Sequence, residues 1–314
     1  MITGARGFIG SNLVEHLNKL GLKDLILVDE DQNSLKSPNI EALKYSVFIE
    51  RKEFLTWFRT HADSVDFIFH LGARTDTSAQ DIGVFDELNL NYSKALFGIC
   101  TLHQIPLIYA SSAATYGDGA YGYDDEMDIS LLKPLNPYGQ SKQDFDLWVL
   151  EQKNTPPFWV GLKFFNVYGK HEDHKNRMAS VIYHAYKQIK ETSEMKLFQS
   201  HRSDIQHGEQ SRDFISVKDL MSICMFFYNN QKHSGIYNVG TGEARSFNDL
   251  VKAVFTALQL EANIQYIPTP EDIRDSYQYY TRAKMDKLKS IGFSKPFSSL
   301  EEGIEDYVKN YLSK

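Results

Sequence analysis

Apolar residues in the first half of the chain gather in short runs, separated by longer stretches with a helical period of three to four. The runs at 25–28, 66–70, 107–111 and 158–164 predict strands. The stretches at 11–20, 52–61, 89–104 and 138–152 predict helices, the first closed by Gly21 as a C-cap. Regular alternation of this kind is the mark of βαβ units, hence an α/β fold with a parallel sheet covered by helices on both faces. It holds to about residue 166. Beyond, helices are predicted at 177–191, 217–230 and 246–258 and short strands at 196–198, 236–239 and 264–267, with a polar loop over 199–211. The reading is a first domain over 1–166 and a smaller α/β lobe over 167–314, with 212–235 returning to the first domain. A cleft between the two is the expected place for a ligand.

Only Met1, Ile2 and Thr3 precede the first glycine, where a central strand has about five or six residues. The first strand is therefore expected to be clipped, either because residues upstream are missing or because it is unusually short. After it comes Thr3-Gly4-Ala5-Arg6-Gly7-Phe8-Ile9-Gly10, directly before an amphipathic helix. Glycines at 4, 7 and 10 suit a tight turn, a close backbone approach to pyrophosphate and close packing of helix on strand, with the helix N-terminus facing the anion. The next strand ends in Asp29, nineteen residues after Gly10, where a carboxylate could accept hydrogen bonds from a ribose. Together these predict a Rossmann-type, doubly wound sheet holding a dinucleotide.

Tyr138 and Lys142 lie four residues apart, so on a helix they share a face and the ammonium can lower the phenol pKa, fitting Tyr138 for general acid or base work. The same spacing occurs at Tyr183/Lys187, Tyr186/Lys190, Tyr228/Lys232 and Tyr280/Lys284. Only Tyr138/Lys142 follows a strand ending in Ser111-Ser112 and a loop with Pro134 and Pro137 that delivers it to the carboxyl edge of a parallel sheet. A tyrosine beside a nicotinamide points to interconversion of alcohol and carbonyl, with Ser112 on the same reacting oxygen.

Composition narrows the partners. With 314 residues, 42% of them apolar and 24% charged, the chain is a globular protein, and a net charge of -7 argues against nucleic acid or an anionic membrane as the main partner. No apolar run approaches the ~18–20 residues that span a bilayer, and the N-terminus lacks a signal-peptide pattern, which leaves the cytosol as the expected location. Cys100 and Cys224 lack metal or redox spacing and read as buried thiols. His171-Glu172-Asp173-His174 lies in a polar loop and no metal is assigned to it.

The GxxGxxG spacing, His70-Leu71-Gly72-Ala73, Asn89-Leu90-Asn91, the Ser-Ser-Ala-Ala-Thr-Tyr-Gly run from Ser111 to Gly117 and Tyr138-xxx-Lys142 resemble the extended short-chain dehydrogenase/reductase family. Ala113 and Ala114 stand where its sugar 4,6-dehydratases carry acidic residues. Phe164-Phe165-Asn166-Val167-Tyr168-Gly169, His174-Lys175-Asn176-Arg177-Met178-Ala179-Ser180, Lys196-Leu197-Phe198, Arg212-Asp213-Phe214, Asn238-Val239-Gly240-Thr241-Gly242 and Tyr277-Gln278 are similar to its nucleotide-sugar heptose 6-epimerases. The resemblance implies epimerisation at C6″ of ADP-D-glycero-β-D-manno-heptose: hydride leaves, the carbonyl turns over, and hydride returns to its other face. Tyr138 and Lys175 would handle the protons, with Lys142 and Ser112 in support. It implies a tightly bound NADP or NAD held by Gly4, Gly7, Phe8, Ile9, Gly10, Asp29, Glu30, Leu71, Gly72, Ala73, Asn89, Tyr138 and Lys142. Lys36 and Arg51 lean the choice to NADP, against Asp29-Glu30 and against Val47-Phe48-Ile49, where the family has an Asp. Asn166, Lys175, Ser180, His184, Phe198, Arg212 and Tyr277 would join Ser112 as substrate contacts, Arg212 on the pyrophosphate. Lys163 stands where Arg is usual. A homo-oligomer, with a pentamer as the candidate, and a role in lipopolysaccharide core synthesis complete what the resemblance implies. The alternatives are another nucleotide-sugar enzyme such as a UDP-hexose 4-epimerase, or a non-enzymatic NAD(P) sensor.

Overall fold

A computed structural model describes residues 1–30, 35–77, 79–274 and 277–314. The elements in chain order are β1 (Ile2–Thr3), α1 (Phe8–Lys19), β2 (Ile26–Asp29), α2 (Pro38–Glu41), β3 (Val47–Glu50), α3 (Arg51–His61), β4 (Ile68–His70), α4 (Ile82–Phe85), α5 (Tyr92–Leu102) and β5 (Leu107–Ser112). Then follow α6 (Pro137–Leu150), β6 (Trp159–Phe164), β7 (Asn166–Tyr168), α7 (Val181–Thr192), β8 (Met195–Phe198), β9 (Ser211–Ser216), α8 (Val217–Asn229) and β10 (Gly235–Val239). The chain closes with β11 (Ala244–Ser246), α9 (Phe247–Ala257), β12 (Ile264–Ile267), α10 (Glu271–Arg274), α11 (Asp286–Ser290) and α12 (Leu300–Tyr307).

Seven strands form one parallel sheet in the order β10-β6-β5-β4-β1-β2-β3, a Rossmann-type α/β arrangement. The order reverses between β1 and β4, and a crevice opens at their carboxyl ends, as such a switch point requires. β1 is short, yet it is the centre of the sheet: Ile2 faces Leu27 and Phe69, and Ile2 is fully buried. Met1 extends the ladder, its carbonyl accepting from the Phe69 N–H and its amino group donating to the Phe67 carbonyl.

Local chemistry sets the helix starts. Asn136 caps α6 through the Gly139 N–H at 2.8 Å, with Pro137 in the first helical position, where a missing N–H costs nothing. Ser180 caps α7, so that helix begins at Val181 and not at 177; before it runs a 3-10 turn over Asp173–Met178 with Asn176 at φ 49°. The helix expected from 89 starts earlier, at Ile82, and runs through a π-helical turn over Asp86–Asn91 before α5. β3 was not expected, because its burial is confined to Ile49 and the half-buried Phe48 and Glu50.

The core falls into two apolar clusters. The larger surrounds the seven-stranded sheet, and it takes in Val217, Leu220 and Phe227 of α8, Val239 of β10 and, later, Met285, Leu288 and Phe293. Side chains between Ile215 and Val239 and between Ala283 and Phe293 thus pack on the larger cluster; β10 joins the sheet because its partner β6 is buried along its whole length and needs a strand on its outer side. The smaller cluster joins Ile182, Leu197, Leu250, Val254 and Ile304 beneath the sheets β11-β9-β7 and β12-β8. Among the described residues no helix is long and apolar enough to cross a membrane.

Candidate active site

The crevice at the switch point is a cleft of about 390 Å³. Its floor is the glycine loop. Gly4 has φ +67°, and a Cβ there would lie 2.6 Å from the Gly72 Cα, so two glycines meet where the loop after β1 passes the loop after β4. A Cβ on Gly10 would come within 2.1 Å of the Gly4 carbonyl oxygen, which is why α1 can start so close to the strand. Gly7 is the N-cap of α1, no acidic residue sits in its first turn, and Phe8, Ile9 and Gly10 line the cleft. First-turn N–H groups have no acceptor within their own helix, so this end suits a pyrophosphate.

One end of the cleft carries two carboxylates among three cations. Asp29 accepts the Arg6 N–H and the Glu30 N–H, each at 2.8 Å, and the Lys36 ammonium is 3.9 Å away. Arg51 donates to Glu30 Oε1 at 2.7 Å. The Arg6 guanidinium lies 4.2 Å from the centre of the Phe48 ring and donates to the Glu30 carbonyl. The donors, the carboxylates and the glycine-lined floor fit an adenosine ribose and a pyrophosphate. Leu71, Gly72 and Ala73 form the opposite wall with Arg74, Thr75 and Asp76, and Leu88 and Tyr92 complete it.

Asn89 is buried and does not line the cleft: its amide donates to the Arg74 carbonyl and Ser141 Oγ and accepts the Arg74 N–H at 2.8 Å, so it fixes the wall to α6. Tyr92 lines the cleft and was missed, and Arg6 stacks on Phe48 next to its Asp29–Glu30 end. Arg6 stood inside the glycine motif as a detectable signal, whereas Phe48 needed β3 to be recognised.

β5 and α6 bring Ser112, Tyr138 and Lys142 together. Burial pushes the Tyr138 phenol above its ordinary value, with the nearby Ser112 side chain acting the other way. Lys142 donates to the Ala110 carbonyl at 2.9 Å; burial lowers its pKa to about 8, opposed by Asp146. At neutral pH it therefore keeps its proton, and the charge sits one turn from the phenol. The Tyr183/Lys187 pair also meets, Lys187 lying 4.5 Å from the centre of the Tyr183 ring, but in α7, away from the sheet.

Lys175 enters the cleft from the 3-10 turn before α7. Its ammonium is 5.4 Å from the centre of the Phe8 ring, and burial lowers its pKa, with Glu172 acting the other way. His174 and Met178 line the same wall. Lys175 thus lies on the glycine-loop side, while Tyr138 faces Ser112. The His171–His174 segment is held by its own contacts. His171 Nδ1 is 2.9 Å from Ser11 Oγ, and buried Glu172 accepts the Gly169 N–H and the Ser180 N–H and hydroxyl.

The other expected substrate contacts divide. Arg212 is buried, with its guanidinium 5.6 Å from the centre of the Phe247 ring and 5.8 Å from that of Tyr277, and it donates to the Ser211 and Gln278 carbonyls. Its neighbour Asp213 instead accepts the Thr241, Gly242 and Ala283 N–H groups. Asn166 is exposed in β7 and takes a long bond from Thr281. Ser180 is committed to Glu172 and to the α7 cap, His184 packs edge-on to Tyr183, and Phe198 ends β8 half-buried.

Comparison with known proteins gives a coherent set of matches. The model of the "NAD dependent epimerase/dehydratase family" matches residues 1–240. An ADP-L-glycero-D-manno-heptose-6-epimerase of Fusobacterium nucleatum is 44% identical over 325 residues, covering 100% of this chain and 98% of the relative. One of Nitratidesulfovibrio vulgaris is 44% identical over 317 residues, with the same coverage. The crystal structure of the Helicobacter pylori ADP-L-glycero-D-manno-heptose-6-epimerase superimposes with a TM-score of 0.83 at 29% identity, covering 100% of this chain and 96% of that one.

Proposed function

We propose an activity from the premise that this chain belongs to the NAD dependent epimerase/dehydratase family: it is an isomerase that interconverts ADP-D-glycero-β-D-manno-heptose and ADP-L-glycero-β-D-manno-heptose at C6″. Full-length identity to relatives of that name supports the substrate. The observation that carries the chemistry is the Ser112–Tyr138–Lys142 cluster at the carboxyl end of β5, beside a glycine-floored cleft that Lys175 also enters.

When bound, the nicotinamide supplies the hydride acceptor and donor at C6″. The protein supplies the proton chemistry and the geometry. Tyr138 takes the C6″ hydroxyl proton on its phenolic oxygen and returns it, Ser112 hydrogen-bonds the same oxygen, and the Lys142 charge favours the phenolate. Lys175 is the second proton-handling group, fitted for it by a burial-lowered pKa. Arg212, between Tyr277 and Phe247, is the donor to the substrate pyrophosphate; Asn166, Ser180, His184 and Phe198 shape the remaining subsite. Gly4, Gly7, Phe8, Ile9, Gly10, Leu71, Gly72 and Ala73 hold the cofactor. Lys36 and Arg51, set around Asp29 and Glu30, support NADP over NAD. The same reading makes the protein a cytosolic homo-oligomer that supplies heptose for lipopolysaccharide.

The test is to incubate purified protein with ADP-D-glycero-β-D-manno-heptose, without added cofactor, and to resolve the C6″ epimers by proton NMR. Conversion to a mixture is expected. No conversion after addition of NADP or NAD, with UDP-hexose 4-epimers interconverted instead, overturns the heptose assignment.

A further inference from the structure

Behind Lys142 lies an ion pair that the reaction as described does not use. Asp146 and Lys163 meet at 2.7 Å with no solvent exposure on either side chain. A buried pair is costly unless its remaining valences are filled, and here they are. Asp146 accepts the Tyr109 hydroxyl at 3.0 Å, the Ser111 hydroxyl at 2.6 Å and the Lys163 ammonium. Lys163 donates also to Thr115 Oγ1 at 2.7 Å, and its charge lies 5.3 Å from the centre of the Tyr116 ring. Thr115 in turn donates to the Ser112 carbonyl.

Placement gives this network its meaning. Tyr138, Lys142 and Asp146 are spaced by four on α6 and so occupy one helix face. Ser111 and Ser112 are adjacent at the end of β5. The polar chain therefore runs from α6, through Asp146, to Ser111 on one arm and, through Lys163 and Thr115, to Ser112 on the other. We infer that Asp146 and Lys163 are positioning residues for the redox site: they lock the face of α6 that carries Tyr138 and Lys142 onto the strand end that carries Ser112, and keep one negative charge a turn behind the Lys142 ammonium. This rests on the reading of Tyr138 and Lys142 as proton-handling groups.

The groups that face Lys142 are few. On α6 they are Tyr138 and Asp146, the latter paired on its far side with Lys163, from β5 the Ala110 carbonyl with the Tyr109 and Ser111 hydroxyls beyond it, and from β4 His70, which burial holds neutral. Asp146 is the one carboxylate in the set, and it opposes loss of the Lys142 proton.

The experiment compares the parent enzyme with Asp146→Asn/Lys163→Met, which removes both charges together and strands neither. The expected result is a kcat about ten- to hundredfold lower at unchanged KM, with the alkaline limb of the kcat profile moved to lower pH by about one unit. A folded double variant with parental kcat and an unmoved limb overturns the inference. Ser111→Ala, which removes one bond and no charge, is the gentler probe, and a severalfold loss in kcat at unchanged KM is expected. If the double variant does not fold, a parental kcat and pH profile in Ser111→Ala overturns the inference equally. Tyr138→Phe separates the two layers: if it stays active, the proton-handling reading fails; if it is inactive while the double variant behaves as the parent, only the positioning role fails.

Discussion

His70 shows how completely one buried side chain can be specified. The Ser93 hydroxyl donates to the Asn89 carbonyl, so His70 Nε2 must carry a hydrogen and donate to Ser93 Oγ. The Thr3 hydroxyl, which also accepts the Gly72 N–H, lies 2.7 Å from His70 Nδ1 and donates to it when the ring is neutral. Burial accordingly lowers the His70 pKa to about 3 from 6.5. Between those values the unfolded chain binds a proton that the folded one refuses, so stability is intact above about pH 6.5 and lost as pH falls. The slope is about 1.4 kcal/mol per pH unit. Urea unfolding from pH 7.5 to 4.5 should give a slope in His70→Gln that differs from the parent's by that amount, the variant losing less stability as pH falls. At the same scale, Tyr138→Phe should lower kcat by about 10²–10⁴-fold while leaving the unfolding midpoint nearly unchanged, measured by epimer conversion and urea titration. Tyr138 and Lys142 were legible because their spacing coincides with a strand-end serine. The Asn89 amide was not, since whether an asparagine faces a cleft or the backbone behind it depends on Arg74 and Ser141, far away in sequence.

Among the elements, the contact of α1 with β1 and the loop after β4 leaves no room for a side chain. Gly10→Ala sets a Cβ against the Gly4 carbonyl oxygen at 2.1 Å, where only backbone can yield. A cost of about 3 kcal/mol is expected, the upper end for overpacking, together with loss of cofactor binding, read by urea unfolding and by dinucleotide titration. In α6, Asp146→Asn alone leaves the Lys163 charge buried without its partner, and a loss of about 3–5 kcal/mol is expected, checked against the smaller loss in the paired variant. The sequence pattern located α3, α8, α9 and β12 well, because each has a continuous apolar face. It missed β3, β7 and β11, short strands whose burial is partial, and β9, whose Arg212 and Asp213 are buried only because loops and β11 supply their partners; it began α7 four residues early, since the Ser180 cap and the Asn176 backbone decide that start and hydrophobic period does not.

For the molecule as a whole, the cleft is assembled from distant parts of the chain: the glycine loop, the end of β2 with Lys36 and Arg51, the segment after His70 with Leu88 and Tyr92, and the turn that carries His174, Lys175 and Met178. Alternation of strands and helices made the strands around β1 legible, but the pairing of β10 with β6 follows from the need to cover β6 and was not visible in periodicity. A dinucleotide that bridges these parts should stabilise the folded state by about 2.7 kcal/mol at a hundred times its Kd. Thermal unfolding of cofactor-stripped protein with NADP and with NAD at equal concentration should give the larger shift for NADP; a larger shift for NAD would reverse the assigned preference.

The pairing of β10 with β6 has a consequence during synthesis. β10 supplies the last strand of the large sheet, beside β6, whose six residues are all buried in the finished protein. A ribosome adding about 5–20 residues per second needs roughly 4–15 s to pass from residue 167 to residue 239. Through that interval the emerging first domain carries an apolar, unpaired edge, the kind that recruits strands from other chains. Residues 1–166 made alone should therefore aggregate where residues 1–239 stay dispersed, and the nascent chain should depend most on chaperones over that short stretch of translation.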